Sequence, residues 1–213
     1  MAVDMVSRAL AAGSMQTVRK AQDIIANNIK RLHQDVYTIL DFSLRAYSRN
    51  GISRRVALIG DVVKAVSLEF EDSAQRKGIA LNVKVDAAAA KVRFPKQDLK
   101  AILGNLVDNA IKFTQQGAVT VTIRKNMRGL CIIVSDTGCG IEASDQKMLF
   151  EKFFKRYPSM PGTGLGLSIV REIVTRYHGS IRIISKGVGA GVRVTITMPI
   201  VRQRRGHETN SRG

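Results

Sequence analysis

The chain has 213 residues, 45% of them hydrophobic and 24% charged, which fits one compact domain plus an added element and allows an aliphatic core to be buried. It contains no apolar run near the roughly 18 residues of a membrane span and no signal peptide, so this segment neither crosses a membrane nor targets itself to one. The net charge is +17, but Lys and Arg are spread along the chain without a zinc-finger, basic-zipper or RNA-recognition pattern; the charge reads as a solvated basic surface or a face for an acidic partner, not as specific nucleic-acid binding.

Residues 3–12 read as a short helix closed by a turn at Gly13 and Ser14. Val18, Ala21, Ile25, Ile29, Leu32, Val36 and Ile39 then recur at spacings of three and four, the seam of a coiled coil or helical bundle over residues 17–48. Two helices joined this closely pack antiparallel. Arg49, Asn50 and Gly51 punctuate the chain, and a mixed α/β region follows to about Val201. Residues 59–76 form a helix with Val62, Val63, Val66 and Phe70 on one side and Gly78 as its stop. Ile79 to Val85 alternates as a strand, and Pro95 opens a helix to about Phe113. Val119 to Arg124 and Leu130 to Ser135 are strands turned at Arg128-Gly129. A helix over 165–177 and strands over 180–185 and 191–199 complete the region, with Gly187-Val188-Gly189 turning between the last two.

The predicted class is α+β, a two-layer α/β sandwich preceded by a partial helical hairpin. The expected domains are the hairpin at 1–54, the α/β domain at 55–201 and a basic tail at 202–213 with little to bury. Cys131 falls in a strand and Cys139 in a glycine loop; they match neither a disulfide framework nor a metal pattern and read as reduced thiols of a cytoplasmic protein.

Three segments carry chemistry. On the helix ending at Phe113, Ile102, Leu103, Leu106, Ala110 and Phe113 form an apolar stripe, while Asn105, Asp108, Asn109 and Lys112 share another face. An amide oxygen is a hard, neutral ligand suited to a Mg²⁺ ion that keeps waters and phosphate oxygens, and Lys112 can balance phosphate charge. The same face is also what any solvated amphipathic helix presents.

Asp136 follows the apolar strand Leu130 to Ser135 and begins Asp-Thr-Gly-Cys-Gly. A carboxylate at a strand end can accept from the exocyclic amine of adenine, and Gly138 and Gly140 let the backbone approach the base. An ordinary surface turn uses the same residue types. Gly162-Thr163-Gly164-Leu165-Gly166-Leu167 feeds a helix whose first amides can hold phosphate oxygens. Its glycine spacing is neither the dinucleotide fingerprint nor a P-loop. Taken together, the segments describe a site for ATP and Mg²⁺.

In this order the segments resemble the catalytic and ATP-binding domain of bacterial sensor histidine kinases. That domain belongs to the wider superfamily of gyrase, the ninety-kilodalton chaperones and the mismatch-repair ATPases. Residues 105–114 are similar to its N box, 136–141 to the first glycine box, 150–154 to the F box and 162–170 to the second glycine box, with agreement over about residues 56–200. The resemblance implies the Bergerat ATP fold. It implies Asn109 as Mg²⁺ ligand with Asn105 assisting, Lys112 on phosphate, Asp136 on adenine, and Gly138 and Gly140 shaping that pocket. Gly162, Thr163, Gly164, Leu165, Gly166 and Leu167 would line the triphosphate, under a short lid from about Phe154 to Pro161. Lys155 and Arg156 in the lid either contact phosphates or face solvent. Phe150, Phe153 and Phe154 would anchor the lid, and a hydrophobic core cluster is an alternative compatible with that role.

Relatives that hydrolyse ATP place a glutamate where this chain has Asn105, which cannot act as a general base at neutral pH. The resemblance therefore implies phosphoryl transfer to a protein histidine and relay to a response-regulator receiver domain, with homodimerisation through residues 3–48. The family's phosphoacceptor box is missing. Of His33, His178 and His207, only His33 sits in a segment resembling it, and it falls in the second hairpin helix, where it reads as a bundle-surface residue. His178 reads as a helix-end residue. The expectation is an acceptor outside this chain. Either the chain begins partway along the first hairpin helix of a longer, membrane-anchored parent, or it acts on another protein's histidine. An ATP-sensing regulatory pseudokinase and a protein-serine kinase of the anti-sigma or dehydrogenase-kinase type are the alternatives.

Overall fold

The computed structural model describes residues 55–157 and 162–200, together with Arg19, Gln22 and Ile25, which are helical. The expected hairpin otherwise lies outside the described residues, as do His33, His207, the tail and the end of the lid. The chain divides into two units, Arg54–Glu151 with Gly166–Gly213, and Met1–Ser53 with Lys152–Leu165.

In the first unit the order is β1 (Val56–Leu58), α1 (Ile59–Arg76), β2 (Ile79–Val85), α2 (Ala87–Ala90), β3 (Arg93–Pro95), α3 (Lys96–Phe113), β4 (Gly117–Asn126) and β5 (Gly129–Asp136). A 3₁₀ turn at Met148–Phe150, α4 (Gly166–Arg176), β6 (Ser180–Ile184) and β7 (Arg193–Met198) complete it. Five strands form a mixed sheet in the order β2-β4-β5-β7-β6. β2 and β4 are parallel and every other pair is antiparallel. A parallel pair needs a long crossover, and α3 lies within it.

Strict alternation makes the sheet two-faced. Val119, Val121 and Ile123 of β4, Leu130, Ile132 and Val134 of β5, and Val194, Ile196 and Met198 of β7 are buried. They pack under α1, α3 and α4, whose own buried stripes include Val62, Val63 and Val66, Leu99, Ile102 and Leu103, and Ile169, Val170 and Ile173. This is the predicted two-layer sandwich. The opposite face of the sheet is rich in Thr and carries Lys84, Arg124, Arg182 and Arg193, which places part of the positive charge on one side of the domain.

Helix and strand ends depart from expectation in small ways, each with a local cause. The β4–β5 turn is Met127-Arg128, and Gly129 already pairs with Asn126. Pro95 pairs with Val56 in a two-stranded ribbon of β1 and β3, so the helix it precedes begins at Lys96. Helix α2 was not foreseen; Asp86 caps it by accepting the Ala89 N–H at 2.5 Å, and it also accepts from the Lys125 N–H at 3.0 Å. On α3 the buried stripe is wider than the predicted one, taking in Leu99, Val107 and Ile111, while Phe113 is only half-buried.

Candidate nucleotide-binding site

The alternation that buries Leu130, Ile132 and Val134 also carries Asp136 to the helix side, at the end of β5 and in register with buried Val119. Its Oδ1 accepts the Gly138 N–H at 2.9 Å and the Val192 N–H at 3.1 Å. No described residue donates a hydrogen bond to Oδ2. Burial raises the Asp136 pKa above its ordinary carboxylate value, and the two backbone N–H groups oppose that rise by favouring the ionised form. The result is a carboxylate fixed by one oxygen and able to accept with the other.

The loop beyond it is held from two sides. The Cys139 N–H donates to the Phe113 carbonyl at 3.1 Å, and a Cβ added at Gly138 would overlap that same oxygen. Gly140 has φ +67°, and a Cβ there would collide with the Gly187 carbonyl. From the other side, the Gly189 N–H donates to the Cys139 carbonyl at 2.7 Å and the Gly191 N–H to the Gly138 carbonyl at 3.1 Å. Thr137 faces away from the site: its hydroxyl accepts the Ala118 N–H at 3.0 Å and donates to the Gln116 carbonyl at 3.2 Å.

Phe113 is also the last residue of α3, one position beyond Lys112, so the first glycine box is docked on the end of the N-box helix. Along that helix Asn105, Asn109 and Lys112 are half-buried and Asp108 is exposed, with the Lys112 ammonium 3.7 Å from the Asp108 carboxylate. Asn105 is oriented by its Nδ2, which donates to the Ala101 carbonyl at 2.8 Å. Its Oδ1 lies beside the first residue of α4: a Cβ added at Gly166 would stand 2.7 Å from it. The structure thus brings Asn105 to Gly166, and the end of α3 to Gly138.

In the other unit, the described part of Lys152–Leu165 includes Gly162, Thr163, Gly164 and Leu165 of the second glycine box. The Phe153 N–H donates to the Gly164 carbonyl at 3.1 Å, and Thr163 Oγ1 accepts the Leu165 N–H at 3.3 Å. Lys155 and Arg156 are half-buried, and the Arg156 guanidinium lies 5.3 Å from the Tyr157 ring centroid. Phe153 has φ 64° and is 66% exposed, so the core-cluster reading fails for it. Phe150, in the 3₁₀ turn, is half-buried with Arg171 of α4 stacked 5.5 Å from its ring centroid. His178 is exposed at the end of α4 with φ 52°, its N–H donating to the Thr175 carbonyl at 2.9 Å, a helix-end role as expected.

Sequence reasoning missed the loop between β6 and β7 as part of the site. Val192 fixes Asp136, Gly187, Gly189 and Gly191 pack on the first glycine loop, and Ser185 Oγ accepts the Ile141 N–H at 3.0 Å. The alternation of glycine at 187, 189 and 191 was the available signal, since it permits close backbone approach over five residues.

The donor set suits a divalent ion held with phosphate. Two amide side chains one helical turn apart on α3 offer neutral hard oxygens without competing for the metal's waters.

Residues 95–202 match the model of the family described as histidine kinase-, DNA gyrase B-, and HSP90-like ATPase. The chain is 31% identical over 193 residues to hybrid signal transduction histidine kinase D of Dictyostelium discoideum, covering 86% of this chain and 12% of that protein. It is 30% identical over 210 residues to the sensor histidine kinase TmoS of Ectopseudomonas mendocina, covering 90% and 21%. The chain therefore spans only about an eighth to a fifth of these relatives. Its fold is similar to that of full-length ShkA in complex with AMPPNP, with a TM-score of 0.68 at 23% identity, covering 89% of this chain and 38% of that one. A carboxylate-ended strand, a docked glycine loop and an amide-bearing helix are what an adenine nucleotide needs, and with the match over 95–202 they place the chain in the histidine kinase-, DNA gyrase B- and HSP90-like ATPase family, as an ATP-binding domain.

Proposed function

We propose that this chain is the catalytic core of a two-component protein-histidine kinase, which binds Mg-ATP and transfers its γ-phosphoryl group to a histidine outside this chain, for relay to a response-regulator aspartate. The observation that carries the reading is Asp136, held by the Gly138 and Val192 N–H groups with Oδ2 left to accept from the adenine amine. Gly138 and Gly140 admit the base where any Cβ would meet backbone. Asn109 offers its amide oxygen to Mg²⁺ with Asn105 assisting, and the ion would offset charge on the phosphate oxygens as the leaving ADP departs. Lys112 supplies a fixed positive charge on the same helix face.

Gly162, Thr163, Gly164, Leu165, Gly166 and Leu167 enter as phosphate contacts on the strength of the motif, and Lys155 and Arg156 as lid cations. Asn105 also bears on the reaction type. Its Nδ2 is committed to the Ala101 carbonyl, and an amide has no proton affinity with which to activate water. Transfer to a protein acceptor needs positioning more than a base. Dimerisation through residues 3–48, docking of a receiver domain and a membrane-anchored parent whose kinase core is cytoplasmic belong to the same proposal.

The test is incubation of the chain with Mg²⁺ and γ-labelled ATP, alone and with a histidine-bearing hairpin from a sensor kinase supplied in trans. Nucleotide binding with acid-labile label on the added hairpin is the expected outcome. Acid-stable label would replace the histidine-kinase reading with the serine-kinase one. Label on His33 would overturn the external acceptor, and binding without any transfer would favour the pseudokinase.

A further inference from the structure

The last four carbonyls of α3 are all accounted for, and one side chain from a distant segment takes two of them together with that of the cap residue. A helix leaves its last four carbonyls without intrahelical partners, and a glycine cap in the left-handed region commonly satisfies some of them. Here the cap residue is Thr114 in an extended conformation, followed by Gln115, so no such cap forms. The Ala110 carbonyl accepts from the Thr114 N–H at 3.1 Å and the Thr114 hydroxyl at 2.7 Å. The Phe113 carbonyl accepts from Cys139. The carbonyls of Ile111, Lys112 and Thr114 converge on the ammonium of Lys77, at 2.7, 3.1 and 3.2 Å.

We infer that Lys77 is a positioning residue for nucleotide binding, its ammonium clamping the C-terminal turn of α3 so that Lys112 and the Phe113 peptide stay aligned with the first glycine loop; the inference rests on the nucleotide-binding reading above. Lys77 is the cap residue of α1, and its ammonium sits at the negative end of the α3 dipole. An ammonium has three donors and the site presents three carbonyls, a match that a neutral side chain cannot reproduce. The coupling to ligand runs through one peptide. Lys77 holds the carbonyls on either side of Phe113, and the Phe113 carbonyl is both the acceptor for Cys139 and the atom that forbids a side chain at position 138. A turn that drifts moves the Lys112 side chain at the phosphate end and the glycine loop at the adenine end together.

The experiment compares the full chain with Lys77→Met and Lys77→Arg, reading the ATP dissociation constant and backbone hydrogen exchange. The expected result is roughly tenfold weaker ATP binding in Lys77→Met, as follows from losing a charged group's hydrogen bonds. Exchange at the Cys139 amide accelerates while the amides of β5 and β7 keep their protection, and Lys77→Arg, which restores a cation with several donors, recovers both. Unchanged ATP affinity in Lys77→Met would overturn the inference. So would acceleration spread evenly over the sheet, which would make Lys77 a general stability residue. A wild-type chain that binds no ATP would sink the nucleotide reading instead, and the Cys139 exchange rate would still report on the clamp separately.

Discussion

The two glycine boxes serve one ligand in the proposal, yet they are built differently. In the first box, Gly138 and Gly140 are required by backbone on both sides, the end of α3 and the 187–191 turn. In the second, Gly164, at φ +74°, also meets backbone, that of Phe153 in its own short unit, but Gly166 faces only the end of a side chain, Asn105 Oδ1 at 2.7 Å. Backbone contacts cannot yield without moving whole strands, whereas a side-chain amide can swing. The difference teaches that the first box is a product of packing between distant elements, whereas position 166 of the second keeps local freedom.

That contrast predicts unequal responses to adding one carbon. Gly140→Ala forces a positive φ and a clash with the Gly187 carbonyl, and should cost about 2–4 kcal/mol of unfolding free energy, read by urea denaturation. A cost under about 0.5 kcal/mol, the range of neutral surface changes, would break the comparison.

Asp136→Asn should separate the two roles of that residue. Its amide oxygen can still accept from Gly138 and Val192, but its NH₂ then opposes the adenine amine, donor to donor. ATP affinity should fall by about 1.5–3 kcal/mol, roughly 10- to 150-fold by calorimetry, while stability at neutral pH is kept because a partly buried charge is removed. Parallel losses of affinity and stability would show the carboxylate to be structural.

Gly166→Ala meets only the Asn105 amide, so stability should change by less than about 1 kcal/mol, with the methyl group's helix propensity offsetting the contact. ATP affinity should nevertheless drop a few-fold, since Asn105 must turn away. A loss of stability as large as that of Gly140→Ala would erase the distinction between the boxes.

The smallest expected effect is on pH. Burial raises the Asp136 pKa, so ATP affinity should begin to fall at a higher pH than for an ordinary carboxylate of pKa 3.8, and Asp136→Asn should flatten that limb of the profile. The sign for folding is opposite. A raised pKa favours the fold below the unfolded value, and that contribution is lost as pH rises through the folded value, so the ionised Asp136 is carried at neutral pH by the rest of the domain.

Much of this was legible beforehand because long elements announce themselves by period. The helix at Ile59–Arg76 and the strand at Ile79–Val85 begin and end where the apolar spacing says, and Asp136 could be put at a strand end because Leu130 to Ser135 alternates into it. The ribbon of β1 and β3 was not legible, since three-residue strands have too few residues to show a period. Phe153 was misjudged in one of its two readings for a related reason. An aromatic side chain predicts burial on average, but its positive φ follows from its own chain path, and it is left exposed.

By itself the sequence determined the layers of the domain, the order of its boxes and the family they belong to, because period, turn chemistry and motif order are local properties of the chain. The tertiary structure alone decided that Val192 holds Asp136, that Asn105 faces Gly166 and that Lys77 closes the end of α3. These pairs lie 56, 61 and 34 positions apart, and contacts over such separations exist only once the sheet register and helix packing have brought their partners together.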